Sequence, residues 1–117
     1  MDSAPNRCNM DDAYEVIRVA HERNHAHVTK GYKLGEMSNL DILKQAGGEL
    51  LELADAASRA VCKNLECQSY NCQQLRAELR DELADTIACL LHVAVKNGFT
   101  LDYLGYVIAQ KIPVKFR

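Results

Sequence analysis

The amino-acid sequence predicts an all-α protein, a four-helix bundle-like chain whose long second and third helices run antiparallel. Apolar residues recur at helical spacing, no segment alternates polar and apolar residues as a strand does, and both prolines lie outside the periodic segments. The 117 residues fit a single domain, 1–117, in which we expect residues 1–10 to be flexible.

The first helix is predicted to begin near Asp11 or Asp12, which are good N-cap residues, and to end before Gly31. Its inward residues would be Val16, Ile17 and Ala20. After a short connection, Asn39 is predicted to cap a long second helix that ends near Leu65. The apolar residues that recur along this helix are Leu43, Leu50, Leu53, Ala57 and Val61.

The polar residues 66–72 predict the next turn, followed by a third helix from about Gln73 to the residue before Gly98. Glycine is well suited to the position just after a helix, where the backbone turns left-handed. Thr100 is then predicted to cap a fourth helix that Pro113 stops. The apolar residues of that helix are Leu101, Leu104, Ile108 and Ile112.

Charge and hydropathy exclude several classes of partner. Fourteen Lys and Arg against 16 Asp and Glu give a formal charge of -2, so we expect no binding to duplex nucleic acid or to an anionic membrane. The longest apolar stretch, 87–95, is far shorter than the roughly 20 residues of a membrane span. Residues 1–9 contain no apolar signal core, so a soluble, cytoplasmic protein is expected.

Five cysteines without a secretion signal predict reduced thiols rather than a disulfide framework. Cys62, Cys67 and Cys72 recur every five residues around the predicted turn. That spacing matches no common zinc knuckle and lacks a fourth nearby ligand, so the sequence does not predict a metal site there.

Acidic residues stand at core-type positions of the second and third helices. Glu49 with Glu52, and Glu82 with Asp85, are three residues apart and therefore lie one turn apart on nearly the same face. On a helical wheel, Glu49 falls beside Ala46, Leu53 and Ala56, and Glu82 falls among Leu75, Leu79, Cys89 and Val93. The third helix is apolar almost all round from 83 to 95, where Asp85 is its only carboxylate. Such a helix is normally buried.

A cation would relieve the cost of bringing these carboxylates together. Buried ionised carboxylates are costly without a positive partner, and neighbouring like charges raise one another's pKa. Since the donors are all oxygens, the expected ion is Mg²⁺, with Mn²⁺ as a substitute, and zinc is disfavoured. The alternative is that these acids are rim residues paired with Arg59, Arg76 or Arg80.

The paired acids resemble a known family. Gly48-Glu49-Leu-Leu-Glu52, followed by Asp81-Glu82-Leu-Ala-Asp85, is similar to the E-x-x-E and E-x-x-D motifs of the MazG-like all-α nucleoside triphosphate pyrophosphohydrolases. His21-Glu22-x-Asn24, Lys30-Gly31-Tyr32, the segment 98–102 and the basic tail also resemble that family. The resemblance covers roughly residues 13–117. An acid that many relatives carry is replaced by Ala46, so the first motif can be read as Ala46/Glu49 or as Glu49/Glu52.

The resemblance implies magnesium-dependent hydrolysis of a nucleoside triphosphate to the monophosphate and pyrophosphate, in nucleotide pool control or sanitation. It implies that the catalytic metal ligands are Glu49, Glu52, Glu82 and Asp85. Residues implied to contact phosphates are Lys111, Lys115 and Arg117, and candidates for base contacts are His21, Asn24 and Tyr32. The family also forms dimers and tetramers, and the apolar third helix independently predicts a homodimer or larger oligomer.

Two other functions remain open at this point. The segment His21-Glu22-Arg23-Asn24-His25 spells the H-E-x-x-H pattern of zinc hydrolases, although the sequence predicts no sheet and no third ligand. Glu22-x-x-His25 resembles only half of a di-iron helical site. The other alternative is a non-enzymatic helical module that uses its apolar surface for dimerisation or interaction.

Overall fold

A computed structural model describes residues 9–26 and 33–112 of the chain. Over these ranges the protein is all-helical, as predicted, with α1 (Met10–Glu22), α2 (Asn39–Arg59), α3 (Tyr70–Lys96), α4 (Leu101–Lys111) and a 3₁₀ turn at Leu34–Glu36. An isolated β-bridge between Ala26 and Lys33 flanks the segment 27–32. The chain divides into two compact units, one formed by 38–90 and the other by 1–37 with 91–117.

In the unit 38–90, the ends of α2 differ from the prediction. Ser38, not Asn39, is the N-cap: its hydroxyl accepts the backbone N–H of Asp41 at 3.1 Å, and the Asp41 carboxylate accepts the backbone N–H of Ser38 at 3.2 Å. This reciprocal capping box satisfies two N–H groups that a helix start leaves free. The helix ends at Arg59, before Leu65, and the carbonyl oxygens of residues 64 and 65 accept hydrogen bonds from Arg76 of α3.

Helices α2 and α3 pack closely and run antiparallel. The Arg59 guanidinium lies 2.6 Å from the Glu78 carboxylate, and the Thr86 hydroxyl lies 3.4 Å from the backbone carbonyl oxygen of Glu49. Position 59 of α2 therefore lies beside position 78 of α3, and position 49 beside position 86. Residue numbers fall along one helix as they rise along the other, which is an antiparallel arrangement. On each helix, the buried and half-buried residues that follow one another at alternating intervals of four and three residues (a 4-3-4-3 spacing) form a stripe, which we call the seam. The two seams are Ile42, Ala46, Glu49, Leu53, Ala56 and Leu75, Leu79, Glu82, Thr86, Cys89.

The predicted apolar face of α2 is therefore largely wrong. Leu43 and Leu50 are 49% and 56% exposed, Ala57 is exposed, and only Leu53 belongs to the seam. Val61 lies beyond the helix and is exposed. The stripe Leu43, Gly47, Leu50, Ala54, Ala57 has the same 4-3-4-3 spacing as the seam, so periodicity alone did not distinguish the two stripes.

Helix α3 begins three residues earlier than predicted. The Ser69 hydroxyl accepts the backbone N–H of Cys72 at 3.1 Å, as an N-cap does, so the first turn forms at Tyr70. At the other end the helix stops at Lys96, one residue short of the prediction, and Gly98 takes the expected left-handed conformation just past the C-terminus, with φ +72. The N–H of Gly98 donates to Val95 and that of residue 99 to residue 94, which is the hydrogen-bond pattern of a Schellman motif.

In the other unit, α1 begins at Met10, one residue before Asp11, so the start lies near the predicted place, but Asp11 and Asp12 lie in the first turn and are not the N-cap. Asn9 is the N-cap, and its side chain and that of Asp12 form a capping box with distances of 3.0 Å. Val16 was predicted to point inward but is 70% exposed, whereas Ile17 and Ala20 are half-buried. The reason is that helix α1 buries only part of its apolar side within this unit.

Thr100 caps α4 as predicted, since its hydroxyl accepts the backbone N–H of Tyr103 at 3.1 Å. The Tyr14 hydroxyl donates to the carbonyl oxygen of Phe99 at 2.8 Å and so links α1 to the turn before α4. Pro113 lies outside the described residues. In the described ranges, every helix is too short or too polar to cross a bilayer.

Candidate functional site

Three of the four predicted metal ligands converge on one point between α2 and α3. One carboxylate oxygen from each of Glu49, Glu82 and Asp85 lies within 4.8 Å of the other two. Glu49 and Glu82 occupy seam positions, where an apolar side chain would ordinarily pack against the facing helix. Asp85, one turn after Glu82, is exposed and closes the cluster from the solvent side. The helical-wheel prediction for both seam acids is confirmed.

The two seam acids are poorly satisfied by the protein. The Oε2 atoms of Glu49 and Glu82 are buried and have no hydrogen-bond partner among the described residues. The pKa of Glu49 is raised, first by burial and then by the negative charges of Glu52 and Asp85. Burial is also the main cause that raises the pKa of Glu82, followed by its contact with Glu52. Both shifts mean that the cluster disfavours its own ionised form.

Glu52 belongs to the same neighbourhood but lies at its edge. Its side chain is exposed and stands outside the group of three whose oxygens meet within 4.8 Å. Its carboxyl nevertheless contacts those of Glu49 and Glu82 closely enough to raise the pKa of both. Ala46 is buried one turn before Glu49 and offers no donor. In this structure the first motif therefore supplies Glu49 directly and Glu52 from the rim.

Oxygen donors of this number and spacing are typical of a hard divalent cation. Magnesium holds oxygens at about 2.0–2.1 Å, which puts opposite ligands roughly 4.2 Å apart. At most one pair of three ligands can be opposite, and adjacent ligands lie roughly 2.9 Å apart, so donors separated by up to 4.8 Å would draw together by up to about 2 Å around a single ion. A cation at this point would give both buried oxygens a partner and remove the repulsion among the carboxylates.

No protein-family model, no curated protein and no solved structure matches this chain. The resemblance to the MazG-like enzymes accordingly rests on the residues quoted above alone.

Thr86 is a residue of the site that the sequence reasoning missed. It is 8% exposed, its hydroxyl donates to the carbonyl oxygen of Glu82 at 2.9 Å, and it also lies 3.4 Å from that of Glu49. A polar residue one turn after a seam acid, inside an otherwise apolar stretch, was the available signal. Cys89 follows on the same seam, and the pKa of its thiol is raised by burial first and then by the charges of Glu49 and Asp85.

Two of the predicted base-contacting residues, His21 and Asn24, lie in the other unit. The His21 imidazole Nε2 is 2.7 Å from His92 Nδ1, and its pKa is lowered by burial first and then by the charge of Lys96. His21 lines a surface groove of about 280 Å³ together with Arg18, Glu22, Gly35, Val95 and Lys96. A largely neutral imidazole beside a groove suits stacking or hydrogen bonding to a planar ring.

Asn24 has a structural role that limits its part in such a groove. It follows α1 with φ +53, and its N–H and that of His25 donate to residues 21 and 20 in a second Schellman motif. Its side-chain oxygen accepts the backbone N–H of Gly35 at 2.8 Å. A Cβ atom at Gly35 would lie 2.8 Å from that oxygen, so this close approach requires glycine.

The structure says little about the other residues that were predicted to contact the phosphates or the base. Lys111 is the last residue of α4 and is exposed. Tyr32, Lys115 and Arg117 lie outside the described residues.

The H-E-x-x-H pattern does not form a helical zinc site here. Helix α1 ends at Glu22, and the left-handed residue Asn24 turns the backbone before His25. His25 is therefore not one helical turn above His21, which is the arrangement that this motif needs to bind a metal through both imidazoles.

Proposed function

We propose that this protein is a MazG-like, magnesium-dependent nucleoside triphosphate pyrophosphohydrolase, which releases the nucleoside monophosphate and pyrophosphate. The observation that supports it best is the pair of buried, unpartnered Oε2 atoms of Glu49 and Glu82 beside Asp85. A helical scaffold gains nothing from carboxylates in its seam, whereas a metal-dependent hydrolase needs them there.

Charge balance connects the carboxylates to the substrate. A triphosphate carries about four negative charges, and Glu49, Glu52, Glu82 and Asp85 add four more, so the two groups repel unless divalent cations lie between them. Two or three magnesium ions would carry about four to six positive charges, which offset most of this negative charge, and would supply the Lewis acidity that polarises the α-phosphate and activates the attacking water. Glu49, Glu82 and Asp85 would hold the ions, and Glu52, exposed at the rim, would act as a further ligand or orient the water.

The resemblance implies further residues that would recognise the rest of the nucleotide. Lys111, with Lys115 and Arg117 of the tail, would neutralise phosphate oxygens, since charged hydrogen bonds to phosphate are strong. His21 and its groove, with Tyr32, would take the base, while Asn24 would support the groove by holding Gly35. A role in nucleotide pools would place the protein in the cytoplasm.

The test is a panel of ribo- and deoxynucleoside triphosphates incubated with the purified protein, with magnesium or with chelator. We expect monophosphate and pyrophosphate in equal amounts, activity with manganese, and none with chelator. Glu82→Gln should reduce kcat roughly 10²-fold or more, because it removes one charged ligand. Glu36→Gln, at an exposed acid of the 3₁₀ turn, is the matched control. Inert nucleotides across the panel would refute the proposal.

We also propose that the chain works as a homodimer or homotetramer in which the four helices complete a bundle. The stripe Leu43, Gly47, Leu50, Ala54, Ala57 on α2 is exposed throughout, and Leu83 and Leu90 on α3 are 46% and 51% exposed. This apolar surface also supports the second candidate function, a helical interaction module without catalysis. The nucleotide panel separates the two functions, because a module would associate without hydrolysing any triphosphate.

A further inference from the structure

A second cluster of possible ligands lies in the connection between α2 and α3. The Sγ atoms of Cys62, Cys67 and Cys72 all lie within 4.8 Å of one another. Cys62 and Cys67 belong to the non-helical residues 60–69, and Cys72 is in the first turn of α3. We call these three residues the thiol triad. Nothing in the proposed hydrolysis uses them.

The turn that joins the thiols is held by its own hydrogen bonds. The Asn64 side chain accepts the backbone N–H of Glu66 at 3.0 Å, and its carbonyl oxygen accepts that of Cys67 at 3.1 Å. The Ser69 hydroxyl accepts the backbone N–H of Cys72 and lies 3.5 Å from Cys67 Sγ. These bonds reverse the chain between the first and third cysteine, which is why a five-residue spacing still brings the sulfurs together.

Three sulfur donors at this spacing suit a thiophilic cation. Zinc binds thiolates at about 2.3 Å, so two sulfurs of a tetrahedral site lie roughly 3.8 Å apart. The triad needs to close by about 1 Å at most to reach this separation. The pKa of the Cys67 thiol is already lowered to about 7, first by its contact with the Ser69 side chain and then by the Ser69 backbone. Sulfur donors favour zinc over the magnesium expected at the carboxylates.

The surroundings also suit a three-thiolate site. Cys62 and Cys72 line a cavity of about 90 Å³ together with Arg59 and Arg76. A water needs only about 10–15 Å³ of such space, so the cavity has room for a fourth ligand. Three thiolates and Zn²⁺ carry a net charge of −1, and Arg76, which donates to backbone carbonyl oxygens, places a positive charge beside them.

We propose that Cys62, Cys67 and Cys72 bind one Zn²⁺, with a water or another small donor as the fourth ligand. This ion would connect the end of α2 to the start of α3. The zinc would act as a structural cross-link of residues 60–69, because it binds the folded turn and not the unfolded chain. It is independent of the proposed hydrolysis, which uses oxygen donors elsewhere on the same two helices.

The test uses the full chain, reduced and metal-free, titrated with Co²⁺ as a spectroscopic probe and then with Zn²⁺. We expect a thiolate-to-cobalt charge-transfer band that saturates at one equivalent, strong visible bands of tetrahedral cobalt, and loss of both when zinc is added. Single Cys62→Ser, Cys67→Ser and Cys72→Ser variants should each weaken binding at least about tenfold. Zinc should also raise Tm in the unsubstituted protein.

Cys89→Ala is the matched control, because Cys89 lies 17 residues after Cys72 on the same helix, or about 25 Å away. It should leave the cobalt spectrum unchanged. Far-ultraviolet circular dichroism checks that each serine variant is still helical. Absence of the charge-transfer band, or its persistence in the triple serine variant, would overturn the proposal. So would a disulfide between two triad cysteines in protein that binds no metal after reduction.

Discussion

The Thr86 hydroxyl on α3 lies 3.4 Å from the backbone carbonyl oxygen of Glu49 on α2, and it donates to the carbonyl oxygen of Glu82 at 2.9 Å. One buried hydroxyl therefore lies against the backbone of both seam acids. Thr86 thus lies at the level of α2 and α3 where the two carboxylates meet. Its removal should disturb the cluster without changing any charge.

Thr86→Val should lower the free energy of unfolding by about 1 kcal/mol, since valine keeps the shape and loses the hydrogen bonds. The affinity for magnesium should fall with it, because the oxygens of Glu49 and Glu82 would no longer be held in register. Thr86→Ser keeps the hydroxyl and is the control. Urea unfolding and magnesium titration give both quantities. A valine variant as stable as the original would show that the Thr86 hydroxyl does not join the helices.

The pH dependence of stability should reveal the free-energy cost of ionising Glu49 and Glu82 in the metal-free cluster. The pKa values of Glu49 and Glu82 are raised above 4.5 in the folded protein, so their ionisation opposes folding. Their contribution to stability is complete below the unfolded pKa and is lost as pH rises through the folded pKa. Without metal, Glu82→Gln should therefore be more stable than the original protein at about pH 7, where the original protein carries the full cost.

The two proteins should converge in stability as the pH falls toward 4.5, where the Glu82 carboxyl becomes neutral. Comparing them cancels the opposite contribution of His21, whose pKa is lowered. Thermal unfolding in chelator at several pH values gives the difference. A stability gap that does not change with pH would contradict the raised pKa of Glu82.

Magnesium should stabilise the protein through the same carboxylates. A ligand that binds only the folded state adds about 2.7 kcal/mol at 100 times its Kd. We expect Tm to rise with magnesium at neutral pH, and to rise much less at acidic pH or in Glu49→Gln and Glu82→Gln. Glu36→Gln should respond as the original protein does. An equal rise in all of these variants would mean that magnesium binds elsewhere.

The exposed stripe on α2 should mediate self-association. Leu50→Glu places a charge at its centre, where a desolvated carboxylate is costly, so it should shift the protein toward monomer. Val16→Glu is the matched control, because Val16 is 70% exposed on α1 and is not part of the stripe. Light scattering at micromolar concentration measures the mass. A monomer before substitution would remove the expectation of an oligomer.

The sequence determined the local features of this protein. Thr100 and Gly98 act at their predicted positions, because helix ends depend on the hydrogen bonds of neighbouring residues. The core-like neighbours of Glu49 and Glu82 also followed from periodicity, since residues three and four apart always share a helical face.

Only the tertiary structure decided which apolar stripe of α2 is buried. The stripes that begin at Ile42 and at Leu43 have the same spacing, and contact with α3 selects the first. Likewise, the thiol triad meets in a segment with no periodicity, where hydrogen bonds accepted by Ser69 and donated by Arg76 accompany the turn of the chain. The choice of stripe depends on contacts between residues far apart in sequence, and the triad depends on hydrogen bonds within an irregular turn. A helical periodicity contains the free energy of neither.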